Sequence, residues 1–222
     1  MMRRRAFFAT VAATVGLAGC LGDESGTTLG EPEQERGSPS HATHGEELPD
    51  FEVPDPLNDE MVSRDDLADD GPFVLTFIYT SCTDRCGEIM RLLELIQSDA
   101  IDEGWDGDVS LAAMTFDPET DDADTLRSYG NGYGLDIDHE RFRFLRPESG
   151  EEAIDLVDDH FSVPAEHGDH HDDHQHDEGA HVHYYMLFLV NGDGIVERSY
   201  PGPILFDRSP NDLIDDVRTV VT

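Results

Sequence analysis

Cys82 and Cys86 stand four residues apart in the run Tyr79-Thr80-Ser81-Cys82-Thr83-Asp84-Arg85-Cys86, after an apolar stretch and at the expected start of a helix. In a first helical turn, side chains four apart lie on one face, so both sulfurs can meet at one point. The unsatisfied N–H groups and macrodipole of that helix end favour thiolate, so both cysteines are expected to be more acidic than a free thiol. The spacing also fits the Cα separation of a disulfide, which leaves metal capture and redox exchange both open. Two soft thiolates alone leave a copper ion short of ligands, and a neutral imidazole is the usual complement for Cu(I) or Cu(II). His183, directly before the apolar run Tyr184–Val190, is the candidate third ligand. His181 would face the same side if that strand extended back so far.

These residues need a scaffold, and the apolar pattern supplies one. Phe73–Tyr79 is a continuous, β-branched apolar run that reads as a buried central strand. A helix over about 83–98 follows, with Ile89, Leu92, Leu93 and Ile96 at helical spacing, and then a buried strand over 109–114. The pattern continues with a helix near 119–129, a strand Phe142–Leu145 and a helix near 150–161 that turns Ile154, Leu156, Val157 and Phe161 inward. Tyr184–Val190 and Ile195–Tyr200 flank the hairpin residues Asn191-Gly192-Asp193-Gly194, and Ser209-Pro210 opens a last helix. Short early strands are expected around 50–53 and 61–63. Alternating parallel units closed by a hairpin and a helix imply an α/β, thioredoxin-like three-layer sandwich, a mixed central sheet with helices on both faces.

Four pieces of the chain resemble the SCO/SenC family of copper chaperones for cytochrome c oxidase assembly. They are Pro49-Asp50-Phe51, the run Phe77 through Cys86, Phe116-Asp117-Pro118-Glu119-Thr120-Asp121, and His183 ahead of Phe188-Leu189-Val190-Asn191-Gly192-Asp193-Gly194. The combination of CxxxC with a distal histidine is specific, whereas each part alone is not. The resemblance implies one bound copper ion, Cu(I) or Cu(II), with Cys82, Cys86 and His183 as ligands and the copper-bearing subunit of the oxidase as partner. Thr83 and Gly87 stand where the family commonly has proline, and Val182 and Tyr184 replace the usual neighbours of the histidine. Asp117 resembles a family aspartate in the loop after a strand, and it reads equally well as a turn or cap residue. A thiol-disulfide oxidoreductase is the competing reading. Thioredoxin-like reductases, however, use CxxC with a proline opposite, and no proline occurs between Pro164 and Pro201. A peroxidase would need Pro and Thr shortly before a single activated cysteine, which Tyr79-Thr80-Ser81-Cys82 does not supply. The pattern therefore favours metal binding over catalysis.

The N-terminus carries Arg3-Arg4-Arg5 before Ala6-Phe7-Phe8 and a short apolar stretch ending Leu17-Ala18-Gly19-Cys20. This resembles a twin-arginine signal over 1–20 with a lipobox whose Cys20 takes the lipid, which implies export and anchoring to the outer face of the cytoplasmic membrane. Residues 21–48 lack apolar periodicity and read as a flexible acidic linker, in which His41 and His44 are expected to be solvated side chains; the domain is expected over 49–222. Fifty acidic residues against 14 basic ones give a formal net charge of −36, which speaks against a nucleic-acid partner. A saline medium that screens charge is one setting in which such self-repulsion is tolerated.

An inserted loop over 165–181 is rich in histidine and acid, and the run His167 to His183 holds seven of the 11 histidines. Such a tract cannot form a core. Its imidazoles and carboxylates either gather metal near the site or merely titrate in solvent. Deleting 167–179 separates the two: gathering predicts slower copper loading or lower stoichiometry, and unchanged values for both leave only a solvated loop.

Overall fold

The computed structural model describes residues 26–32, 39–166 and 182–222, with Glu166, Val182 and His183 placed by backbone only. The signal with Cys20, the tract 167–179 and His181 lie outside the described residues.

The hydrophobic runs become the sheet. Phe73–Ile78 forms β3, Ser110–Thr115 β4, Phe142–Leu145 β5, Met186–Val190 β8 and Val196–Pro201 β9, in the spatial order β5-β4-β3-β8-β9. β3, β4 and β5 are parallel, while β8 and β9 run antiparallel. All six residues of β3 are buried, as expected of a central strand covered on both faces. Alternation sorts the side chains into two cores. Val74, Leu111, Ala113, Leu187 and Leu189 face the helices α2 (Cys86–Glu103), α3 (Ala123–Tyr133) and α6 (Pro210–Val221). Phe73, Leu75, Phe77, Met114 and Phe188 face the hairpin β1 (Glu52–Asp55) and β2 (Glu60–Ser63), the helix α1 (Arg64–Asp69) and the helix α4 (Gly150–Ile154). The result is the thioredoxin-like sandwich expected from the sequence, completed by the short strands β6 (Ala165–Glu166) and β7 (Val182–His183) and the one-turn helix α5 (Gly202–Leu205).

Several boundaries differ from expectation for local reasons. α1 was not expected; Ser63 and Asp66 form a reciprocal capping box that starts it. α3 begins at Ala123 instead of near 119, because the Asp117 carbonyl accepts from Thr120 N and Asp121 N in a tight turn and Asp122 then caps the helix. The helix after Gly150 widens into a π segment, Asp155–His160, with Phe161 N donating to the Leu156 carbonyl. That widening buries Ala153, Val157 and Phe161 and leaves Ile154 and Leu156 half-buried.

The described parts of the 21–48 stretch are not a free linker. Leu48 is fully buried and Leu29 nearly so. Gly45 N donates to the Val196 carbonyl, Val196 N to that of Glu46, and Leu48 N to that of Gly194, so the segment extends the sheet beyond β9. His41 packs edge-on against Phe188, and burial lowers its pKa; His44 Nδ1 lies 3.0 Å from the Glu197 carbonyl oxygen. The polar composition concealed this docking because it rests on backbone groups and two leucines. Its anchor is Glu197, whose carboxylate has no exposure and accepts from Thr28 N at 2.7 Å, Leu29 N at 2.8 Å and Asn191 Nδ2 at 2.9 Å. Glu197→Ala strands three donors in a buried site, so it should lower the stability of the full chain by about 1–3 kcal/mol. A urea midpoint equal to that of the parent would show that the segment is held by something else.

Candidate metal centre

The cysteines sit where β3 gives way to α2, but only one of them belongs to the helix. α2 begins at Cys86, so Cys82 lies in the preceding turn, fixed by its N–H on the Tyr79 carbonyl at 3.3 Å. The expectation that both sulfurs share the first helical turn is therefore corrected. The reason is that Thr83-Asp84-Arg85 is held outside the helix by a side chain from a segment distant in sequence. Tyr185, between β7 and β8, accepts from Arg85 N at 3.2 Å and donates to Asp84 Oδ2 at 2.9 Å.

The two sulfurs nevertheless meet. Cys82 is half-buried and Cys86 fully buried, both are thiols, and the two hydrogen-bond to one another. That bond first, and burial second, push the Cys86 thiol well up, against the pull of a backbone hydrogen bond from Tyr79. For Cys86 the direction is thus opposite to the expected acidification: the helix end is outweighed by a neighbouring sulfur and a dry setting. The Tyr79 hydroxyl also bonds to Cys82, and the Tyr185 hydroxyl lies 4.0 Å from Cys82 Sγ. Chemically, such a pair can lose two protons to a soft cation or two electrons to an oxidant.

β7 pairs its His183 with Ala165 of β6, and Tyr184 N donates to the Pro164 carbonyl at 2.9 Å. His183 thus stands two residues before the tyrosine that touches Cys82. Among the described residues no three His, Cys, Asp or Glu side chains converge.

The loop Phe116–Asp121 buttresses the cysteines through a residue the sequence reading passed over. Asp121 is fully buried. Its carboxylate accepts from Thr80 N at 3.1 Å, from the Thr80 hydroxyl and from the Thr115 hydroxyl at 2.5 Å, so it joins the carboxyl ends of β3 and β4. Asp117 contributes the turn instead, with its N–H on Thr115 Oγ1 and its carbonyl taking two N–H groups. The available signal was position: Asp121 closes the same acidic motif that Asp117 opens. Gly87, at a usual proline position, has its own explanation, because a Cβ there would come within 2.5 Å of the Tyr133 hydroxyl.

The profile of the SCO1/SenC family matches residues 41–222. The chain belongs to the SCO1/SenC family. Solved structures of other members share its fold. An SCO1/SenC family lipoprotein from Bacillus anthracis str. Ames is 20% identical with a TM-score of 0.64, covering 79% of this chain and 95% of that one. BsSco, described as a member of the Sco family of cytochrome c oxidase assembly proteins with a disulfide switch, is 19% identical with a TM-score of 0.59, covering 84% and 98%. ScoI of Bradyrhizobium japonicum, solved with copper bound, is 20% identical with a TM-score of 0.56, covering 77% and 97%. No curated protein sequence matches. No helix among the described residues of this SCO1/SenC protein is long and apolar enough to cross a membrane.

Burial raises the Asp121 pKa more than its three donors lower it. The folded state then holds the proton more tightly than the unfolded chain, so this group's contribution to stability is level at low pH. It falls as pH climbs from the ordinary aspartate range through the raised folded value. Urea denaturation across pH should show the stability of the parent relative to Asp121→Asn declining in that window; a rising difference would refute the assignment.

Proposed function

We propose that this SCO1/SenC protein is an exported metallochaperone that binds one copper ion, Cu(I) or Cu(II), through Cys82, Cys86 and His183 and passes it to the copper-bearing subunit of cytochrome c oxidase. The observation that carries this reading is the pair of hydrogen-bonded thiols at the head of α2. Their soft donor set suits copper. The copper-bound ScoI and the oxidase-assembly description of BsSco support it by family. Residues 1–20 would act as the twin-arginine signal, with the lipid on Cys20 holding the protein at the outer face of the cytoplasmic membrane. The lipoprotein relative supports that placement. In this reading the domain extends over 49–222, and the parts of 21–48 docked on β9 leave a shorter tether than the sequence implied.

Delivery proceeds by ligand exchange. Cys86 is buried and Cys82 half-buried, so an incoming ligand meets the Cys82 side first. A second reading, supported by the same pair of thiols, is reduction of a target disulfide: Cys82 and Cys86 give up two electrons and two protons and close a disulfide while the target becomes a dithiol.

Anaerobic Cu(I) titration of the full chain against a competing chelator tests the proposal. The parent should take one equivalent, and Cys82→Ser, Cys86→Ser and His183→Ala should each bind on the order of 100-fold more weakly or worse. Four equal affinities would remove the site.

A further inference from the structure

The cysteine loop follows β3 and the His183 segment precedes β8, two neighbouring strands whose ladder reaches neither segment. The last pair in register is Thr76 with Leu187. Two segments beyond the end of a ladder need another tie to hold a fixed distance, and the side chain that links them is Tyr185. Its hydroxyl donates to Asp84 Oδ2 at 2.9 Å, accepts from Arg85 N at 3.2 Å and lies 4.0 Å from Cys82 Sγ. Its ring meets Phe206 edge-on at 5.3 Å, and the Arg85 guanidinium lies 4.5 Å from the centre of that same Phe206 ring. Its carbonyl accepts from Gly202 N at 2.7 Å. The tyrosine is therefore held at both ends, by α5 behind it and by the loop between the cysteines in front.

We propose that Tyr185 is a positioning residue: it fixes the Cys82–Cys86 loop against the strand that carries His183 and covers Cys82 Sγ. A rigid ring with two rotatable bonds does this with little loss of side-chain freedom. With the tie intact the loop is ordered before the metal arrives; without it, binding must order the loop and loses affinity accordingly. The covering of Cys82 follows from the contacts alone, whereas the effect on metal rests on the copper-binding reading above.

The test uses the full chain with Tyr185→Phe, which keeps the ring on Phe206 and removes only the hydroxyl. Asp84→Ala cuts the same tie from the other side, and Tyr184→Phe, at an exposed neighbour, is the control. In the reduced, metal-free protein, iodoacetamide should modify Cys82 on the order of tenfold faster in Tyr185→Phe and Asp84→Ala than in the parent or the control, for the loss of one hydrogen-bonded tie. Cu(I) affinity should fall on the order of tenfold in the same two variants, with urea midpoints unchanged, and the thiolate-to-Cu(II) charge-transfer band should shift. Alkylation at the parent rate in both variants overturns the covering role. Faster alkylation with unaltered copper affinity and an unmoved band overturns the positioning role. A parent that binds no copper defeats the chaperone reading alone, because the alkylation rates still decide whether Tyr185 covers the sulfur.

Discussion

A single buried carboxylate holds the working end of this molecule together. β3 and β4 run parallel, and at their carboxyl ends the chains must part, one toward the cysteines and the other toward α3. Asp121 sits in that fork with no exposure and binds Thr80 on one branch and Thr115 on the other. Parallel α/β sheets commonly present their chemistry in this crevice, outside the carboxyl ends of the strands. A buried carboxylate without partners would be costly, so its three donors and the fork depend on each other. The position of Cys82, two residues past Thr80, follows from that bond.

The sheet was legible because its signals are local. Phe73–Ile78 is apolar but for Thr76, Phe142–Leu145 appeared with its exact limits, and Asn191-Gly192-Asp193-Gly194 announced its hairpin. The cysteine pair was legible for the same reason, as two sulfurs at a strand-to-helix junction. The start of α2 was not, because Thr83-Asp84-Arg85 is kept from helical geometry by Tyr185, about a hundred residues away in the chain. The same non-local origin hid Glu197, which reads as one acid among many and is the buried anchor of residues 28 and 29. Periodicity and composition describe what a residue does to its own segment. They carry no trace of a hydrogen bond made by a strand to a distant loop.

Charge constrains the molecule in another way. All 14 basic residues are arginines, set against 50 acids. Several are committed to structure: Arg64 joins Glu47, Asp50 and Asp65, Arg143 reaches the buried Asp55, and Arg218 grips Asp99 through a forked contact. A planar guanidinium with several donors can hold multiple carboxylates at once, which a lysine cannot do as well. The surplus acid faces solvent, where salt screens it. Cations placed this way knit the 47–65 region and the α2–α6 contact, and they do not compose a basic surface.

The two sulfurs are chemically unequal, and that inequality bears on how a metal would enter and leave. Cys86 opens α2, is sealed from solvent and keeps its proton through burial and its bond to Cys82. Cys82 lies on the turn, half-open to solvent, with hydroxyls from Tyr79 and Tyr185 about its sulfur. A cation with high affinity for thiolate displaces both protons, because metal coordination favours the deprotonated form far more strongly than burial opposes it. In the proposed delivery, exchange with a partner's ligand would begin at the sulfur that solvent can reach, and the bond to the buried one would be the last replaced. The seat of Cys86 at the first turn of an 18-residue helix fixes the buried sulfur in place.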